Sequence, residues 1–223
     1  VPTRRRLLDR IHGIGVPLHE YISGRFYRGI SSGFNDAFVV PRTTHEDLVQ
    51  EDPRSLDLLR PYLQGRDVKR WTVESQDRSL IFVPWHFPLH EDPSIVGASA
   101  RAEREFQKRY PAVYRRLLGF KPALEARDQT ETGIRYEWYA LQRPRTEIQE
   151  QILGPKIVYP DIYLHQSFAW DEAGYFPGNT CYFISTSEKW LCGVLNASVT
   201  EWFYEQISSR IMSGYLRAFS DKV

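Results

Sequence analysis

The stretch YRGISSGFNDAF, residues 27–38, places polar side chains and glycines between two strand-like runs, RFYRGI and DAFVV. A hairpin needs only two turn residues, so a longer polar loop invites a chemical explanation. Glycine lets a backbone approach a ligand closely. Serine hydroxyls can donate and accept hydrogen bonds, an asparagine suits the edge of an adenine, and an arginine suits guanine or phosphate. The alternative is a flexible connection whose two glycines are only turn residues.

Other short motifs do not complete a catalytic or metal site. The Gly-x-Gly at residues 12–17 lacks the third glycine and the preceding strand of a dinucleotide-binding fingerprint. His86 and His90 would share a helix face, as zinc ligands can, but Pro88 between them favours a polar loop. Neither cysteine has a histidine nearby in sequence, and Asp161 is not followed by the Glu-x-Lys of common magnesium-dependent nucleases. We therefore predict no catalytic residue and no metal site.

Charge is unevenly distributed along a chain whose formal net charge is +1. Two basic clusters flank an acidic block. The first cluster contains Arg4, Arg5, Arg6, Arg10, Arg25 and Arg28, the second contains Arg60, Arg66, Lys69 and Arg70, and the acidic block contains Glu46, Asp47, Glu51, Asp52 and Asp57. Local basic patches can hold a phosphate backbone, although most such runs are solvated surface. Charge alone leaves nucleic-acid binding open.

Size and composition indicate a folded protein of one large domain or two subdomains that share a core. The chain has 223 residues, of which 42% are hydrophobic, with 26% charged residues and 6 tryptophans. It contains no apolar run long enough to span a membrane, and we expect no signal peptide because no apolar segment follows the arginines of VPTRRRLLDR. With only Cys181 and Cys192, we expect no disulfide framework and a cytoplasmic location. Because its only methionine is Met212, we expect a piece of a longer protein.

Strand-like and helix-like segments occur in blocks, which predicts the α+β class. The predicted strands are VPLHEYI, RFYRGI, DAFVV, DVKRWTV, SLIFV, KIVYPDI, SFAW and TCYFIS, with YLRAF as a further candidate. The predicted helices are TTHEDLVQEDPRSLDLLR, restarting at Asp52-Pro53, residues 97–126 with an interruption at Pro111, SEKWLCGVLN and SVTEWFYEQI. RRRLLDRIHGI is either a short helix or a linker remnant.

Several of these stretches together resemble one known family. GIGVPLHEYISGRFYRGISSGFNDAFVV resembles the opening of the TaqI-like C-terminal specificity domain. This is the target recognition domain of adenine-specific DNA methyltransferases and of fused type IIG restriction-modification enzymes. The resemblance continues in the family's order through LLRPYLQGRDVKRW, PKIVYPDI, GYFPGNTCYFIS, WLCGVLNASVTEWFYEQIS and GYLRAFSDKV. It covers nearly the full chain and is weakest across about residues 85–135.

The resemblance implies a fold related to type I specificity subunits. Residues 1–85 would form a mostly-β subdomain and residues 86–223 an α+β subdomain that includes a helical segment at about 97–126. It also implies a part of a restriction-modification defence that grips double-stranded DNA and reads the target sequence. A covalently linked methyltransferase domain, joined in some parents by a nuclease domain, would flip and methylate an adenine.

The resemblance implies that this chain by itself catalyses nothing. The methyltransferase domains of such enzymes carry a cofactor-binding glycine motif and an Asn-Pro-Pro-aromatic motif, and this chain contains no Asn-Pro-Pro. No cofactor is expected here. S-adenosylmethionine, and Mg²⁺ where the parent also cuts DNA, would be bound by parts of the parent enzyme outside this chain.

The resemblance also assigns candidate contacts. Loop residues 28–36 would lie against DNA, with first-choice contacts Arg28, Ser31, Ser32 and Asn35 and with Gly29 and Gly33 permitting close approach. Second-choice contacts follow the turn at Gly65 and face phosphates: Arg66, Lys69 and Arg70. Lys156 and Tyr159 are either structural or contacts to the DNA backbone, and Asn179 is expected to be a turn or strand-cap residue.

Two functions of other classes remain open at this stage. The aromatic residues of the chain could form the contact patch of a protein-interaction module that docks a subunit without touching DNA. The chain could also be a small nuclease whose site escapes motif inspection. Salt dependence of binding separates the first alternative from DNA recognition, and magnesium-dependent plasmid cleavage tests the second.

Overall fold

The computed structural model describes residues 2–128, 133, 135–208 and 216–217. The chain divides into two compact units, each built from separate stretches. Unit 1 comprises Val1–Gly29, Gln64–Glu74 and Glu150–Val223, and unit 2 comprises Ile30–Leu63 and Ser75–Gln149. The predicted subdomain boundary between residues 85 and 86 therefore falls inside unit 2 and not between the units.

The fold is α+β, as predicted. The helices are α1 (Pro2–Ile14), α2 (Leu18–Tyr21), α3 (Asn35–Phe38), α4 (Arg42–Glu51), α5 (Ala100–Arg109), α6 (Pro111–Leu118), α7 (Lys121–Glu125), α8 (Gln149–Leu153), α9 (Lys189–Leu195) and α10 (Ser198–Ile207). The strands are β1 (Phe26–Arg28), β2 (Val39–Pro41), β3 (Leu59–Leu63), β4 (Arg78–Ile81), β5 (Lys156–Pro160), β6 (Ile162–Tyr163), β7 (Ala169–Asp171), β8 (Phe176–Pro177), β9 (Cys181–Ser185) and β10 (Leu216–Arg217). Short 3-10 helices cover Pro53–Leu58, Gly65–Asp67 and Thr146–Ile148.

Unit 1 is organised by an antiparallel sheet with strand order β1-β9-β5-β7. All five residues of β5 are buried. This explains why apolar residues follow one another in KIVYP and do not alternate with polar ones. The core packed on this sheet includes Ile157, Phe168, Ile184, Leu195 and Tyr204. Separately, β6 pairs antiparallel with β10. The sheet thus gives unit 1 a rigid frame for the loops that leave its strand ends.

Unit 2 combines the antiparallel strands β2, β4 and β3 with the helices α3 to α7. An aromatic cluster fills much of its core, where the rings of Phe106 and Tyr139 stack with centroids 4.5 Å apart. Helix α5 begins where the Ser99 hydroxyl accepts a hydrogen bond from Ala102 N at 3.2 Å, and α6 begins at Pro111. The predicted helical interruption at Pro111 is confirmed.

Several local predictions differ from the structure. VPLHEYI contains the helical turn α2 after Pro17 and not a strand, and DVKRWTV forms a tight loop closed by a bridge between Val68 and Val73. RRRLLDRIHGI lies in helix α1, in agreement with the helical alternative. With α1 and α4 in the first 85 residues, that part of the chain mixes helix and strand and is not mostly β. Apolar and aromatic patterning does not distinguish a strand from a short turn whose shape is decided by tertiary contacts.

The helices in the described ranges lack the combined length and apolarity that crossing a bilayer requires. Both cysteines are buried free thiols. Within YLRAF, the structure describes Leu216–Arg217 as β10, and the remaining residues of that predicted strand lie outside the described residues.

Candidate functional site

Arg28 lies at the end of β1, on the surface of unit 1. Its Nε donates to the carbonyl oxygen of Asn179 at 3.2 Å, and its Nη2 lies 3.9 Å from Asp161 Oδ2. The guanidinium carbon is 6.0 Å from the centroid of the Tyr182 ring. The side chain remains 50% exposed, so it keeps donors available to a ligand while Asp161 offsets part of its charge. Asn179 acts here through its backbone, as expected of a turn residue.

Gly29 has a structural reason within unit 1 and is buried. Its N–H donates to Cys181 O at 3.0 Å, and a Cβ at this position would lie 2.2 Å from Gly178 O and 2.4 Å from Pro177 O. The protein's own backbone therefore makes a close approach that requires glycine at this position, and a role of Gly29 beside DNA stays a prediction.

The serines of the loop are tied into unit 2. Ser31 forms a two-way backbone bridge with Arg143, at 3.2 and 2.9 Å, and its hydroxyl donates to Gln142 Oε1 at 3.3 Å. Ser32 is buried, and its hydroxyl donates to Asn35 Oδ1 at 2.7 Å while accepting from Phe34 N at 3.2 Å. Both hydroxyls thus form hydrogen bonds within the fold, and Ser32 also shapes the loop, while its role as a DNA contact stays a prediction.

Asn35 is exposed at the first position of α3. Its amide oxygen Oδ1 accepts from the Ser32 hydroxyl at 2.7 Å, and the same hydroxyl accepts from Phe34 N at 3.2 Å. Among the described residues, the Asn35 Nδ2 amide has no hydrogen-bond partner. Its two N–H donors and the second lone pair of its oxygen are therefore free for a ligand.

Arg127 holds the loop from below. Its guanidinium donates to four carbonyl oxygens, and its guanidinium carbon lies 5.6 Å from the ring centroids of both Phe38 and Tyr136. The four acceptors are Ser32 O at 2.8 Å, Leu124 O at 2.9 Å, Trp138 O at 2.6 Å and Ala140 O at 2.9 Å. Burial lowers the pKa of Arg127. Gly33, with φ +76°, packs where its Cβ would lie 2.7 Å from Arg127 Cδ, so close packing and backbone both require glycine.

The second basic cluster lies on a hydrogen-bonded loop of unit 1. The 3-10 turn Gly65–Asp67 is fastened by Gln64 N donating to Asp67 Oδ2 at 2.8 Å and by Gly65 N donating to Thr180 Oγ1 at 3.0 Å. Beyond it, Val68 and Val73 form an antiparallel bridge. We call the enclosed residues 69–72 the tip. The fold therefore presents the tip on a closed and well-fastened base.

Three cationic residues of this loop are exposed on the surface, where a phosphate could reach them. Lys69 Nζ donates to Arg66 O at 2.8 Å. Arg70 donates from Nη2 to Asn196 O and lies with its guanidinium carbon 5.7 Å from the Trp71 ring centroid. Arg66, Lys69 and Arg70 thus share one short segment, and Trp71 is exposed beside them.

Lys156 and Tyr159 belong to the core of unit 1. Lys156 is fully buried, with Nζ 2.6 Å from Asp171 Oδ2 and 2.5 Å from Ile152 O. Burial lowers the pKa of Lys156 despite the neighbouring carboxylate, and burial raises the pKa of Tyr159 well above its usual value. Their inclusion among surface contacts is corrected, because an enclosed side chain has no surface to offer a ligand, and the structural alternative holds.

Residues that sequence reasoning singled out for metal binding have other partners. His86 Nδ1 lies 3.1 Å from Glu137 Oε1, and His86 N donates to Glu137 Oε2 at 2.8 Å. Glu137 is buried and also accepts from Ser99 N at 3.0 Å. The His90 ring stacks with Phe87, with centroids 5.5 Å apart. Within the described residues, no group of three potential metal ligands comes together.

Sequence reasoning missed Arg127 and Trp71. Arg127 lies in the stretch with the weakest family resemblance, and its contact with Ser32 joins residues 95 positions apart. The aromatic and branched residues of DVKRWTV predict a strand, which hides the position of Trp71 at the tip. The signal that could have found it is the direct neighbourhood of Lys69-Arg70 and an aromatic residue, a combination typical of nucleic-acid contacts.

Comparisons with known proteins agree with the resemblance. A family model described as the TaqI-like C-terminal specificity domain matches residues 60–222. The chain is 25% identical over 183 residues to the type II methyltransferase M.MjaIV of Methanocaldococcus jannaschii, covering 79% of this chain and 55% of that protein. It thus spans about half the length of this curated relative. A solved structure of the type IIL restriction-modification enzyme MmeI in complex with DNA matches in fold, with a TM-score of 0.56, 13% identity and coverage of 87% of this chain and 23% of that chain.

Proposed function

Because this chain belongs to the family of TaqI-like C-terminal specificity domains, we propose that it is the DNA target recognition domain of a larger adenine-specific methyltransferase or type IIG restriction-modification enzyme. The observation that carries the proposal is the family match over residues 60–222. The fold similarity to an enzyme whose structure was solved with DNA supports it.

The exposed side chains of the two units suit different parts of DNA, namely phosphates for unit 1 and a base edge for unit 2. On unit 1, Arg28 and the three cations of the second loop, Arg66, Lys69 and Arg70, are exposed and suited to phosphate oxygens. On unit 2, Asn35 offers donors and an acceptor at the same time, which suits a base edge. Ser31 and Gly33 position the loop, and the Gly33 N–H, which has no partner among the described residues, is available for a backbone contact.

In this proposal the chemistry of modification belongs to a covalently linked methyltransferase domain. That domain would bind S-adenosylmethionine and flip the target adenine, while this chain positions the duplex. A parent enzyme that also cleaves DNA would add a nuclease domain and its Mg²⁺.

The proposal is tested by DNA binding of the chain at increasing salt. We expect duplex binding with a dissociation constant on the order of micromolar at moderate salt, little sequence preference, and a steep loss of affinity as salt rises. Calorimetry with S-adenosylmethionine is expected to give no micromolar binding. Absence of any gel shift at low salt and high protein concentration would refute DNA recognition.

A second candidate function rests on an apolar groove in unit 1. The groove has a volume of about 500 Å³ and is lined by α1, α2, α9, α10 and the connecting residues, among them Val16, Trp190, Val194 and Phe203. Such a groove is typical of a protein-docking surface, so the chain would then be an interaction module without DNA contact. Binding through this groove would be nearly insensitive to salt, which separates the two functions.

A further inference from the structure

Trp71 occupies a backbone conformation that disfavours its own side chain. Its φ is +80°, in the left-handed region where glycine and asparagine are at home and where a bulky residue is a rare outlier. The residue is also 50% exposed. Trp71 is therefore only partly buried, although its backbone conformation is strained.

Several contacts hold this strained backbone in place. Trp71 N donates to Phe168 O at 3.0 Å, and Trp71 bridges Ala169 in the parallel sense. Lys69 N donates to Thr72 O at 2.9 Å and closes the tip. The tip position is thus determined by the surrounding structure of unit 1.

Asn196 fastens both sides of this arrangement. It is buried, its Nδ2 donates to Phe168 O at 2.7 Å, and its Oδ1 accepts from Phe168 N at 3.0 Å. Its own carbonyl accepts from the Arg70 guanidinium. Arg70 and Trp71 are therefore both anchored to the same pair of residues, and the indole is presented at a defined place.

The charges beside Trp71 indicate what it faces. Lys69 and Arg70 precede it directly and Arg66 lies on the same loop, whereas the acidic residues of the loop are Asp67, which is buried, and Glu74 at the base. The Arg70 guanidinium lies near the indole, as in a cation–π pair. A flat aromatic ring among cations matches the alternation of bases and phosphates in a nucleic-acid strand.

We propose that Trp71 stacks its indole on a base of the bound DNA, at a step where that base is partly unstacked, while Lys69 and Arg66 hold neighbouring phosphates. This inference rests on the proposed function and deepens it, since it names a contact that reads no particular base. Any base offers a face, so the contact adds affinity and fixes the position of the domain on the strand without selecting a sequence.

The test compares Trp71→Gly with Trp71→Phe, using labelled duplex and single-stranded oligonucleotides of one sequence at low salt. Trp71→Gly relieves the backbone and removes the ring, and we expect about tenfold weaker binding to both DNA forms without a lower melting temperature. Trp71→Phe keeps a ring and is expected to remain within about threefold of the wild type. Trp71→Asn, which also tolerates this backbone, should repeat the loss seen for glycine.

Trp190→Ala is the matched control, because Trp190 is 56% exposed and lines the apolar groove. We expect it to bind DNA as the wild type does. The salt slope of Trp71→Gly should equal that of the wild type, since the indole carries no charge. Protection of Trp71 from acrylamide on DNA binding, obtained from the difference between wild-type and Trp71→Phe fluorescence, gives a readout that a structural role would not produce.

The outcomes separate this inference from the function on which it rests. If Trp71→Gly and Trp71→Asn bind like the wild type while Lys69→Ala weakens binding, base stacking by Trp71 is refuted and DNA recognition stands. Equal losses for Trp71→Gly and Trp190→Ala would likewise overturn the assignment. If the wild-type chain binds neither DNA form at low salt, the proposed function itself fails.

Discussion

Lys156 and Asp171 form an enclosed ion pair in the core of unit 1, with Nζ and Oδ2 2.6 Å apart and side chains 0% and 1% exposed. Both groups make further hydrogen bonds within the fold. Lys156 donates to Ile152 O, and Asp171 accepts from the N–H groups of Ala173 and Tyr175. The pair joins β5 to β7 at a register position where the two residues are opposite each other.

Replacing Lys156 by methionine should destabilise the chain strongly. The substitution leaves the Asp171 carboxylate buried without a counter-charge, so we expect a loss of about 3–5 kcal/mol in the free energy of unfolding. Urea denaturation measures this loss. The control Lys69→Met removes an exposed ammonium and should change stability little. Lys156→Met combined with Asp171→Asn removes the buried charge but keeps an amide oxygen as acceptor, and should recover much of the loss. A single variant as stable as the wild type would contradict the enclosed pair.

Alkaline pH should destabilise the fold because burial raises the pKa of several tyrosine hydroxyls and of one cysteine thiol. These groups are Tyr139, Tyr159, Tyr163 and Cys181. The unfolded chain releases these protons near pH 9–10 and the folded chain retains them, so stability is present below that range and is lost above it. The loss approaches about 1.4 kcal/mol per pH unit for each such group.

The buried Lys156 acts in the opposite direction, because its lowered pKa makes stability rise with pH below the usual lysine value. Because only Lys156 acts in this direction and four buried acids act in the other, we expect the free energy of unfolding to fall as the pH rises. Urea titrations between pH 8 and pH 11, with tyrosine ionisation followed at 295 nm, measure both quantities. Ionisation of all tyrosines near pH 10 in the folded chain would contradict the prediction.

Gly29→Ala should lower the melting temperature substantially. The added Cβ would lie 2.2 Å from Gly178 O, and backbone atoms cannot yield as a flexible side chain would. We expect a loss of about 2 kcal/mol or more. Gly13→Ala is the matched control, since Gly13 lies in α1, where an added Cβ would meet nothing within 4 Å, and should gain up to about 1 kcal/mol. Equal melting temperatures for the two variants would show that Gly29 does not require its close approach.

Lys69→Ala should weaken binding to target and non-target DNA alike. An ammonium on a flexible stem suits a phosphate and carries no sequence information, so the slope of log K against log salt should fall by roughly one unit. Gel shifts or anisotropy over a salt series measure the slope. Lys108→Ala, which removes an exposed lysine on α5 of unit 2, is the control and should leave the slope unchanged.

Asn35→Ala should relax discrimination at one base position in the full-length parent enzyme. The lost donors and acceptor should cost about 1–3 kcal/mol on the target site. The variant also removes the acceptor of the Ser32 hydroxyl, so a stability loss of about 1 kcal/mol is expected beside it. Binding to a panel of single-base variants, measured with the melting temperature, separates the effects. A stability loss with unaltered sequence preference would leave Asn35 as a loop residue only.

Local sequence was sufficient for those elements whose formation depends on neighbours along the chain. The break between α5 and α6 at Pro111 follows from the missing proline N–H, and the closing helices α9 and α10 follow from their apolar spacing. KIVYP and CYFIS form strands as predicted. The order of motifs along the chain also indicated the family that the comparisons support.

Tertiary structure alone decided which polar residues reach the surface. KIVYP gives no sign that Lys156 points into the core, because its counter-charge Asp171 lies on another strand. The sequence around Gly29 predicts a glycine that makes room for a ligand, whereas the structure shows that Gly178 O already occupies the space a Cβ would need. The pattern of DVKRWTV predicts a strand, but hydrogen bonds from Trp71 to Phe168 and from Arg70 to Asn196 fix residues 69–72 as the tip of a loop. In each case the deciding partner is remote in sequence, and the energy of such a contact depends on the folded arrangement and not on the local pattern.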